Sequence, residues 1–262
     1  WNFADKDFSL TASSFGVVSG AEAWAYDSVD MNSYWSSGHK YLVLARAVDR
    51  AGNIQNEFTV GSASNTFIYD TKAPGAAILT PENGKIYSVL TLSSGTANDL
   101  ADPGAVYASG EESVYLRIRD LTQGGKYWNI KDSTWTAFGS VSTRTLPVAD
   151  LSPALWSISD SSLPAYAEHW ESGHEYEIIA YAKDKAGNLN VGFATTTFKF
   201  DTTKPLTTIT WPQNDGDSFS QANPLNSFTG SAYDATAGVA DMQVSLFLDA
   251  NKNGTFESGA GD

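Results

Sequence analysis

The segment YEIIAYAKDKAGNLN, residues 176–190, decides the fold. Every second residue from Tyr176 to Ala182 is apolar, which is the period of a β-strand with one buried face. The tripeptide AGN follows, and glycine and asparagine tolerate the positive φ that a tight hairpin turn requires. The same pattern occurs earlier in the chain as YLVLARAVDRAGNIQ, residues 41–55. A strand and turn that are written twice indicate a chain built from repeats.

Other motifs recur at nearly the same spacing. The matching pairs are SGHKY at 37–41 with SGHEY at 172–176, FIYDTKAP at 67–74 with FKFDTTKP at 198–205, AILTPENG at 77–84 with TITWPQND at 208–215, and SGTAND at 94–99 with GSAYD at 230–234. The offset between Pro74 and Pro205 is 131 residues, so the sequence predicts a tandem array with a period close to that length.

The motif D-T-x-x-P marks the boundary between repeats, because proline ends a strand and stiffens a linker. It predicts the C-terminal half of one repeat at 1–73, a complete repeat at 74–204 and the N-terminal half of another at 205–262. Two explanations stay open: a window on a longer array, or half-repeats that complement those of neighbouring chains head to tail. A half-repeat alone exposes an apolar face and unpaired strand edges, which is unfavourable.

Each repeat is predicted to be an antiparallel β-sandwich. Apolar residues alternate from Val114 to Ile118, and their counterparts in the last segment are Val244, Leu246 and Leu248. Short strands separated by Gly, Asn and Asp turns, with no helical periodicity, are typical of this architecture. The sequence therefore predicts an all-β fold of tandem Ig-like sandwiches.

The strand Y-x-I-x-A-x-A-x-D-x-A-G-N, followed by a strand ending in F-x-x-D-T-x-x-P, resembles bacterial Ig-like and fibronectin-III-like repeats. Such repeats occur in tandem in very large surface proteins and adhesins. The segment at 114–135 also resembles long Ig-like repeats of giant predicted surface proteins. The resemblance covers nearly the whole chain and implies an extracellular location. It names no glycan or host-surface ligand, because a fold does not fix a function.

The charge of the chain narrows the expected partners. Asp and Glu number 30 against 16 Lys and Arg, a net charge of −14. Such a surface repels phosphate backbones and anionic lipids, so we expect no nucleic-acid partner and no membrane insertion. The chain has no cysteine, which excludes disulfides and thiolate chemistry. Carboxylate oxygens in this number are hard ligands that suit calcium.

One candidate metal site is the stretch DANKNGTFESGAGD at 249–262. Oxygen-bearing side chains alternate along it as in a calcium loop, and Gly254 stands where that loop turns sharply. The last loop position, where a bidentate glutamate is expected, is Ala260. The candidate calcium ligands are Asp249, Asn251, Asn253, Thr255, Glu257 and Asp262. The alternative is a polar hairpin loop between two strands.

A second set of acids lies in the turns nearest the repeat junctions. Tandem Ig-like and cadherin-like proteins use such acids to chelate calcium and rigidify the joint, whereas the alternative is that each acid caps its own turn. The set comprises Asp70 and Asp201 before the linkers, Asp49 and Asp184 before the AGN turns, and Asp99 and Asp234 at the end of G-x-A-x-D.

Tryptophans and histidines give no sign of catalysis. The repeat-equivalent tryptophans are Trp1 with Trp128, Trp24 with Trp156 and Trp35 with Trp170. Periodic aromatics are typical of packing rather than of a glycan platform. His39 and His174 share one position in S-G-H-x-Y, which indicates a structural turn. With no G-x-S-x-G, H-E-x-x-H, P-loop or dinucleotide fingerprint, we expect no catalytic and no cofactor-binding residues.

The expected function is structural: a spacer, stalk, adhesion or filament segment of an extracellular bacterial surface protein, with calcium as a candidate stiffening ion. Its expected partners are neighbouring repeats of the same protein or identical chains head to tail. One alternative is a carbohydrate-binding or accessory module of a secreted enzyme, which an exposed, non-periodic aromatic row would favour. The other is a polymer subunit whose half-domains complement between chains, which concentration-dependent filaments would favour.

Overall fold

The computed structural model describes residues 8, 15–20, 22–27, 30–129, 132–137, 144–147, 154–159, 163–164 and 169–246. Within these ranges the elements are β-strands apart from one short 3-10 helix at Met31–Tyr34. All strand pairs in them are antiparallel except one. The predicted all-β fold is confirmed. The described ranges hold no helix with the length and apolar character needed to cross a membrane.

The strands group into four sheets. In chain order they are β1 (His39–Leu44), β2 (Ser64–Tyr69), β3 (Gly75–Thr80), β4 (Ile86–Tyr87), β5 (Leu92–Asn98), β6 (Glu111–Asp120), β7 (Lys126–Asn129), β8 (Thr134–Thr136), β9 (Arg144–Pro147), β10 (Ala154–Ser159), β11 (Glu175–Asp184), β12 (Ala194–Phe200), β13 (Leu206–Trp211) and β14 (Thr229–Tyr233). Strands β1 and β2 pair with each other, as do β13 and β14. Between them lie a small sheet, β10-β5-β3, and a large sheet, β4-β12-β11-β6-β7-β8, in which β9 also pairs with β6.

The core of the central segment lies between the small and the large sheet. Strand β11 buries every second residue from Tyr176 to Asp184, as the sequence period predicted. Strand β6 does the same with Val114, Leu116 and Ile118. Strand β3 of the small sheet contacts β11 and β12 of the large one. Two sheets packed face to face over one apolar layer form a β-sandwich.

An aromatic cluster fills one end of this core. The ring centroids of Trp170 and Tyr176 lie 4.6 Å apart, edge to face, and those of Tyr176 and Phe198 lie 5.7 Å apart. The backbone amide of Glu171 donates a hydrogen bond of 2.8 Å to the Tyr176 hydroxyl oxygen. A buried tyrosine is stable here because its apolar ring packs and its polar end is satisfied.

The first segment builds the same cluster from repeat-equivalent residues. Trp35 and Tyr41 lie 4.7 Å apart between centroids, again edge to face, and Tyr41 and Phe67 lie 5.3 Å apart. The amide of Ser36 donates to the Tyr41 hydroxyl oxygen at 2.8 Å. The packing role predicted for the periodic tryptophan therefore has the same geometry in both segments.

Gly95 of β5 lies directly beneath the indole of Trp156. A Cβ atom at this position would come within 1.9 Å of the Ala77 carbonyl oxygen and 2.3 Å of the Trp156 ring. The Trp156 Nε1–H donates to the Thr96 carbonyl oxygen at 3.2 Å, which fixes the indole flat on the strand. Glycine is required here because neither the adjoining strand nor the ring leaves room for a side chain.

Each of the two end segments shows one pair of strands among the described residues. The hairpin pairs β1–β2 and β13–β14 are two-stranded, and apolar side chains on both are exposed. The strand predicted around Val244 and Leu246 is not formed at 241–246, and both side chains are exposed. A single strand needs a partner, and no described strand pairs with these residues. Leu248 lies outside the described residues.

Replacing Gly95 with alanine should lower the free energy of unfolding by about 3 kcal/mol, because the new methyl group overlaps a backbone oxygen and a buried ring. Gly192→Ala is the matched control: no atom lies within 4 Å of its Cβ position. That control should change stability by less than about 0.5 kcal/mol. Urea unfolding of the two variants measures both, and equal stabilities would mean that β5 can move away from Trp156.

Candidate metal centre at the joint between segments

Three carboxylates meet where the first segment joins the central one. Asp70 follows β2, Asp99 follows β5 and Asp184 ends β11. One ligand oxygen from each lies within 4.8 Å of the others. Asp70 and Asp184 are buried and Asp99 is half-buried. Among the described residues this is the single group of three or more such ligands.

Asp70 is held by backbone amides from both sides of the joint. Its Oδ1 accepts the amide of Lys72 at 3.0 Å, a local turn typical of aspartate. Its Oδ2 accepts the amide of Ser109 at 2.7 Å. Ser109 lies in the loop between β5 and β6, so the carboxylate ties the end of one segment to a loop of the next.

Asp99 is held by the same loop. The Gly110 amide donates to its Oδ2 at 2.7 Å, and the Ser109 hydroxyl donates to that oxygen at 3.2 Å. Its Oδ1 is buried and has no hydrogen-bond partner among the described residues. A buried carboxylate oxygen without a partner is unfavourable, because it loses water and gains nothing in exchange.

Asp184 sets the AGN turn. The backbone N–H of Asn188 donates to its Oδ1 and the Asn188 Nδ2 donates to its Oδ2, both at 2.8 Å. Gly187 takes a φ of +97°, as the motif predicted. Asn188 Nδ2 also donates to the Asp70 carbonyl oxygen at 3.0 Å, across the joint. Asn188 therefore stabilises the turn through its hydrogen bonds and not through the positive φ that the sequence predicted for it.

The electrostatics of the three acids are unfavourable in the absence of a cation. None of the ion pairs formed by the described residues includes Asp70, Asp99 or Asp184. Burial raises the pKa of Asp99, and the charges of Asp70 and Asp184 add to the rise, while the Gly110 amide opposes it. A cation at the centre would remove this repulsion.

The donor set fits calcium in type and spacing. Calcium prefers carboxylate and carbonyl oxygens at about 2.3–2.6 Å, so two oxygens on one ion lie at most about 5 Å apart. The three ligand oxygens, within 4.8 Å of one another, satisfy that limit. Calcium takes six to eight oxygens, so three carboxylates would supply part of its shell and leave the rest to carbonyls or water.

At the second joint, the equivalent acids are Asp201 and Asp234. The pKa of Asp234 is lowered, first by the amides of Ala237 and Thr236. This shift is opposite to that of Asp99, its repeat equivalent: both side chains are half-buried, but backbone amides dominate at Asp234 whereas burial dominates at Asp99.

The remaining predicted ligands lie apart from these groups. Asp49 is exposed in the first AGN turn, where its carboxylate accepts the Asn53 amide at 2.8 Å. Hydrogen bonds from Asn53 hold the pKa of Asp49 below its usual value. The candidate calcium loop lies outside the described residues with all its ligands: Asp249, Asn251, Asn253, Thr255, Glu257 and Asp262.

The histidines stand in turns. His174 Nδ1 lies 2.9 Å from Asp120 Oδ2, and its Nε2 lies 3.3 Å from Glu171 Oε2. His39, its equivalent, lies 3.1 Å through Nδ1 from the Ser37 carbonyl oxygen. His174 directly precedes β11 and His39 begins β1, so both lie where the S-G-H-x-Y turn meets a strand, as the sequence predicted.

Several aromatic side chains are used in packing. Trp128, Trp156 and Trp170 are buried in the core. On the outer face of the large sheet, Tyr115 and Tyr181 stack on each other with centroids 4.9 Å apart and ring planes 11° apart. One face of each of these two rings is therefore covered by the other ring.

Family models give no match to the chain, and neither do curated proteins. A solved structure of a tetra-tandem repeat, from the extending region of a large adhesion protein, is similar with 15% identity and a TM-score of 0.35, covering 82% of this chain and 50% of that one. A Ca²⁺-stabilized adhesin that helps an Antarctic bacterium reach out and bind ice has 13% identity and a TM-score of 0.23, covering 65% of this chain and 34% of that one. The chain thus spans half or less of the length of these two proteins. Because both TM-scores are below 0.5, neither similarity decides the function.

Sequence reasoning grouped the junction acids but missed the loop that holds them. Ser109 and Gly110 supply three hydrogen bonds to Asp70 and Asp99. Nothing in ASGEE, residues 108–112, marks it as a ligand-holding loop. Its role depends on a contact between segments, which no local pattern encodes.

In calcium-free buffer, Asp99→Asn should raise the unfolding midpoint at pH 7 by a few degrees, because it removes a charge that the folded state disfavours. The pKa of Asp99 is raised on folding, so the folded state binds the proton more tightly than the unfolded state. The cost is therefore present above the folded pKa and is relieved as the pH falls through it. Thermal unfolding at a series of pH values should show the advantage of the variant shrinking on acidification. An advantage that grows on acidification would contradict the assignment.

Proposed function

We propose that this chain is a non-catalytic spacer segment of an extracellular bacterial adhesion protein, built from Ig-like sandwich repeats whose joints are stiffened by calcium. The observation that carries the proposal is that equivalent hydrogen bonds fix the linkers of the two joints. A spacer transmits position along its length only when each joint has a defined geometry.

The linker after β2 and the linker after β12 are fixed in the same way. The amide of Thr71 donates to the Ser37 hydroxyl oxygen at 3.0 Å, and the amide of Thr202 donates to the Ser172 hydroxyl oxygen at 2.9 Å. Lys72 and Thr203 each donate an amide hydrogen bond to the aspartate two residues earlier, at 3.0 and 2.9 Å. The D-T-x-x-P motif is therefore a fixed bend rather than a free hinge.

Further bonds cross the first joint. Asn188 of the central segment donates to the Asp70 carbonyl oxygen at 3.0 Å, and the Tyr107 amide donates to the Gly38 carbonyl oxygen at 3.1 Å. Lys72 Nζ donates to the Ala101 carbonyl oxygen at 3.0 Å. These bonds join the segments beyond the covalent linker, which supports a semi-rigid arrangement.

Calcium would complete the joint at Asp70, Asp99 and Asp184. Each of the two segments contributes at least one of these acids, so one ion would bridge them and oppose bending. Calcium sites of extracellular modules bind at about 10⁻⁴–10⁻³ M, a range that suits an ion shared by two mobile bodies. The acidity of the chain, at a net charge of −14, favours cation binding over binding of anionic partners.

Calcium at one hundred times its dissociation constant should stabilise the first joint by about 2.7 kcal/mol in the native chain. Asp99→Asn should lose most of this gain, because it removes one negative charge and puts an NH2 group, which cannot bind calcium, in place of the carboxylate oxygen Oδ1, while the remaining oxygen accepts from Ser109 and Gly110. Asp215→Asn is the matched control: it makes the same charge change at an exposed site away from the joint. Thermal unfolding with calcium and with chelator measures the gain, and small-angle X-ray scattering measures the maximum dimension.

The chain should become longer and stiffer with calcium, and this response should be absent in Asp99→Asn. Asp249→Asn separates the second candidate site, since calcium lost in that variant alone belongs to the loop at 249–262. A native chain whose unfolding and dimensions do not change between calcium and chelator would refute the stiffening role.

A further inference from the structure

The two end segments carry matching halves of one sandwich. In the central segment the small sheet, which contains β3 and β5, covers the large sheet, which contains β11 and β12. The first segment has equivalents of β11 and β12 without a small sheet over them. The last segment has equivalents of β3 and β5 without a large sheet beneath them. Among the described strands, β1–β2 and β13–β14 pair only within themselves.

The strand registers support this equivalence. Tyr41 pairs with Phe67 in β1–β2 as Tyr176 pairs with Phe198 in β11–β12. In the other half, Ile78 lies opposite Gly95, and the register of β3–β5 shifts between Ile78 and Thr80. The pair β13–β14 reproduces this arrangement, with Ile209 opposite Gly230 and a shift between Ile209 and Trp211. Each half is therefore already built in the form that the complete sandwich uses.

The exposed side chains are the ones that the complete sandwich buries. Val43 of β1 is 46% exposed, whereas its equivalent Ile178 is fully buried. Leu246 is 70% exposed, whereas its equivalent Leu116 is 2% exposed. Apolar faces of this kind are unfavourable in water and are typical of binding surfaces. The central segment identifies what covers each of them: the opposite half of a repeat.

Trp24 and Gly230 give the most specific match. In the central segment the indole of Trp156 lies on Gly95, and its relative exposure is 2%. Trp24, the equivalent of Trp156, is 52% exposed. Gly230, the equivalent of Gly95, likewise has no room for a Cβ, which would lie 2.3 Å from the Thr208 carbonyl oxygen. Among the described residues, Trp24 therefore has no glycine beneath its ring, and Gly230 has no tryptophan over it.

The backbone around Trp24 is oriented for strand pairing. The N–H and C=O of Ala25 both bond to Ser19, at 3.1 Å. Because successive residues of an extended strand direct their polar groups to opposite edges, those of Trp24 point away from Ser19. Strand β14 pairs with β13 along one edge only. Each side therefore offers one edge for antiparallel addition.

We propose that the β13–β14 end of one copy of this chain binds the β1–β2 end of a second copy and completes a sandwich between them. Trp24 of one copy lies opposite Gly230 of the other, in the register that Trp156 and Gly95 have in the central segment. Strand β1 of the first copy lies beside residues 242–246 of the second, which then form the strand that they lack here. The proposal adds self-joining to the proposed spacer function and does not use the carboxylates of the first joint.

The association is tested on the whole chain by light scattering over a range of concentrations and by electron microscopy, in chelator. The native chain should give multiples of its own mass and, at high concentration, head-to-tail filaments. Trp24→Ala should raise the concentration needed by about tenfold or more, since a central tryptophan dominates such interfaces. Phe193→Ala, which also removes an exposed aromatic ring, should leave the association unchanged. A chain that stays monomeric, or associates equally well without Trp24, overturns the proposal.

Cysteine pairing tests the register directly, because the chain has no cysteine of its own. In the central segment Ser157 lies opposite Ser94, so Ala25 and Thr229 should lie opposite each other between copies. Opposite residues on antiparallel strands have Cα atoms about 4.5–5.5 Å apart, within the range of about 4.4–6.8 Å that a disulfide spans. Chains with Ala25→Cys mixed with chains with Thr229→Cys should form mixed dimers under oxidation, and chains with Asp215→Cys in place of the latter should not. If the mixed disulfide does not form, the proposed register is wrong. The calcium response is measured in a separate experiment, so failure of the register can be distinguished from failure of the proposed spacer function.

Discussion

The hydrogen bonds between Asp184 and Asn188 are the constraint on which the joint depends. They close the AGN turn, and the same asparagine amide reaches the Asp70 carbonyl oxygen on the preceding segment. The turn therefore reverses the chain and also fixes the position of the central segment relative to the first segment. Because Asp184 is buried and charged, its position is tolerable only with its partners in place. The turn at Asp49 has the same internal hydrogen bonds, but Asp49 is exposed, so no cost of burying a charge arises there.

The first joint combines good hydrogen bonding with poor electrostatics. Backbone amides satisfy most of the carboxylate oxygens, yet three acids share a small volume and one oxygen of Asp99 has no partner. Arrangements of this kind are costly without a counter-ion and become favourable with one. At the second joint, amide hydrogen bonds from Ala237 and Thr236 outweigh burial and lower the pKa of Asp234. The two half-buried aspartates occupy the same place in the repeat, so the balance between burial and hydrogen bonding accounts for the difference.

The sequence predicted the features that depend on local pattern. Alternation located β11 and β6, and the recurrence of S-G-H-x-Y and A-G-N located turns that have the same hydrogen bonds in both copies. It also selected Asp70, Asp99 and Asp184 as junction acids. It could not tell which acids meet, because Asp49 and Asp184 have the same local sequence and differ only in the segment that packs against them. The loop of Ser109 and Gly110 was missed for the same reason. Periodicity likewise predicted a strand at 241–246, which fails because strand formation depends on a partner.

The division of the three acids between segments has a practical consequence for dissecting such a protein. Asp70 belongs to one segment, while Asp99 and Asp184 belong to the next, so the group exists only in a pair. Residues 74–204 expressed by themselves would keep their core and lose the cluster. The contribution of this acidic cluster to stability therefore depends on two adjacent segments, and it adds over adjacent pairs of segments rather than over single segments. Any measurement on an isolated unit would underestimate how strongly one unit cooperates with the next.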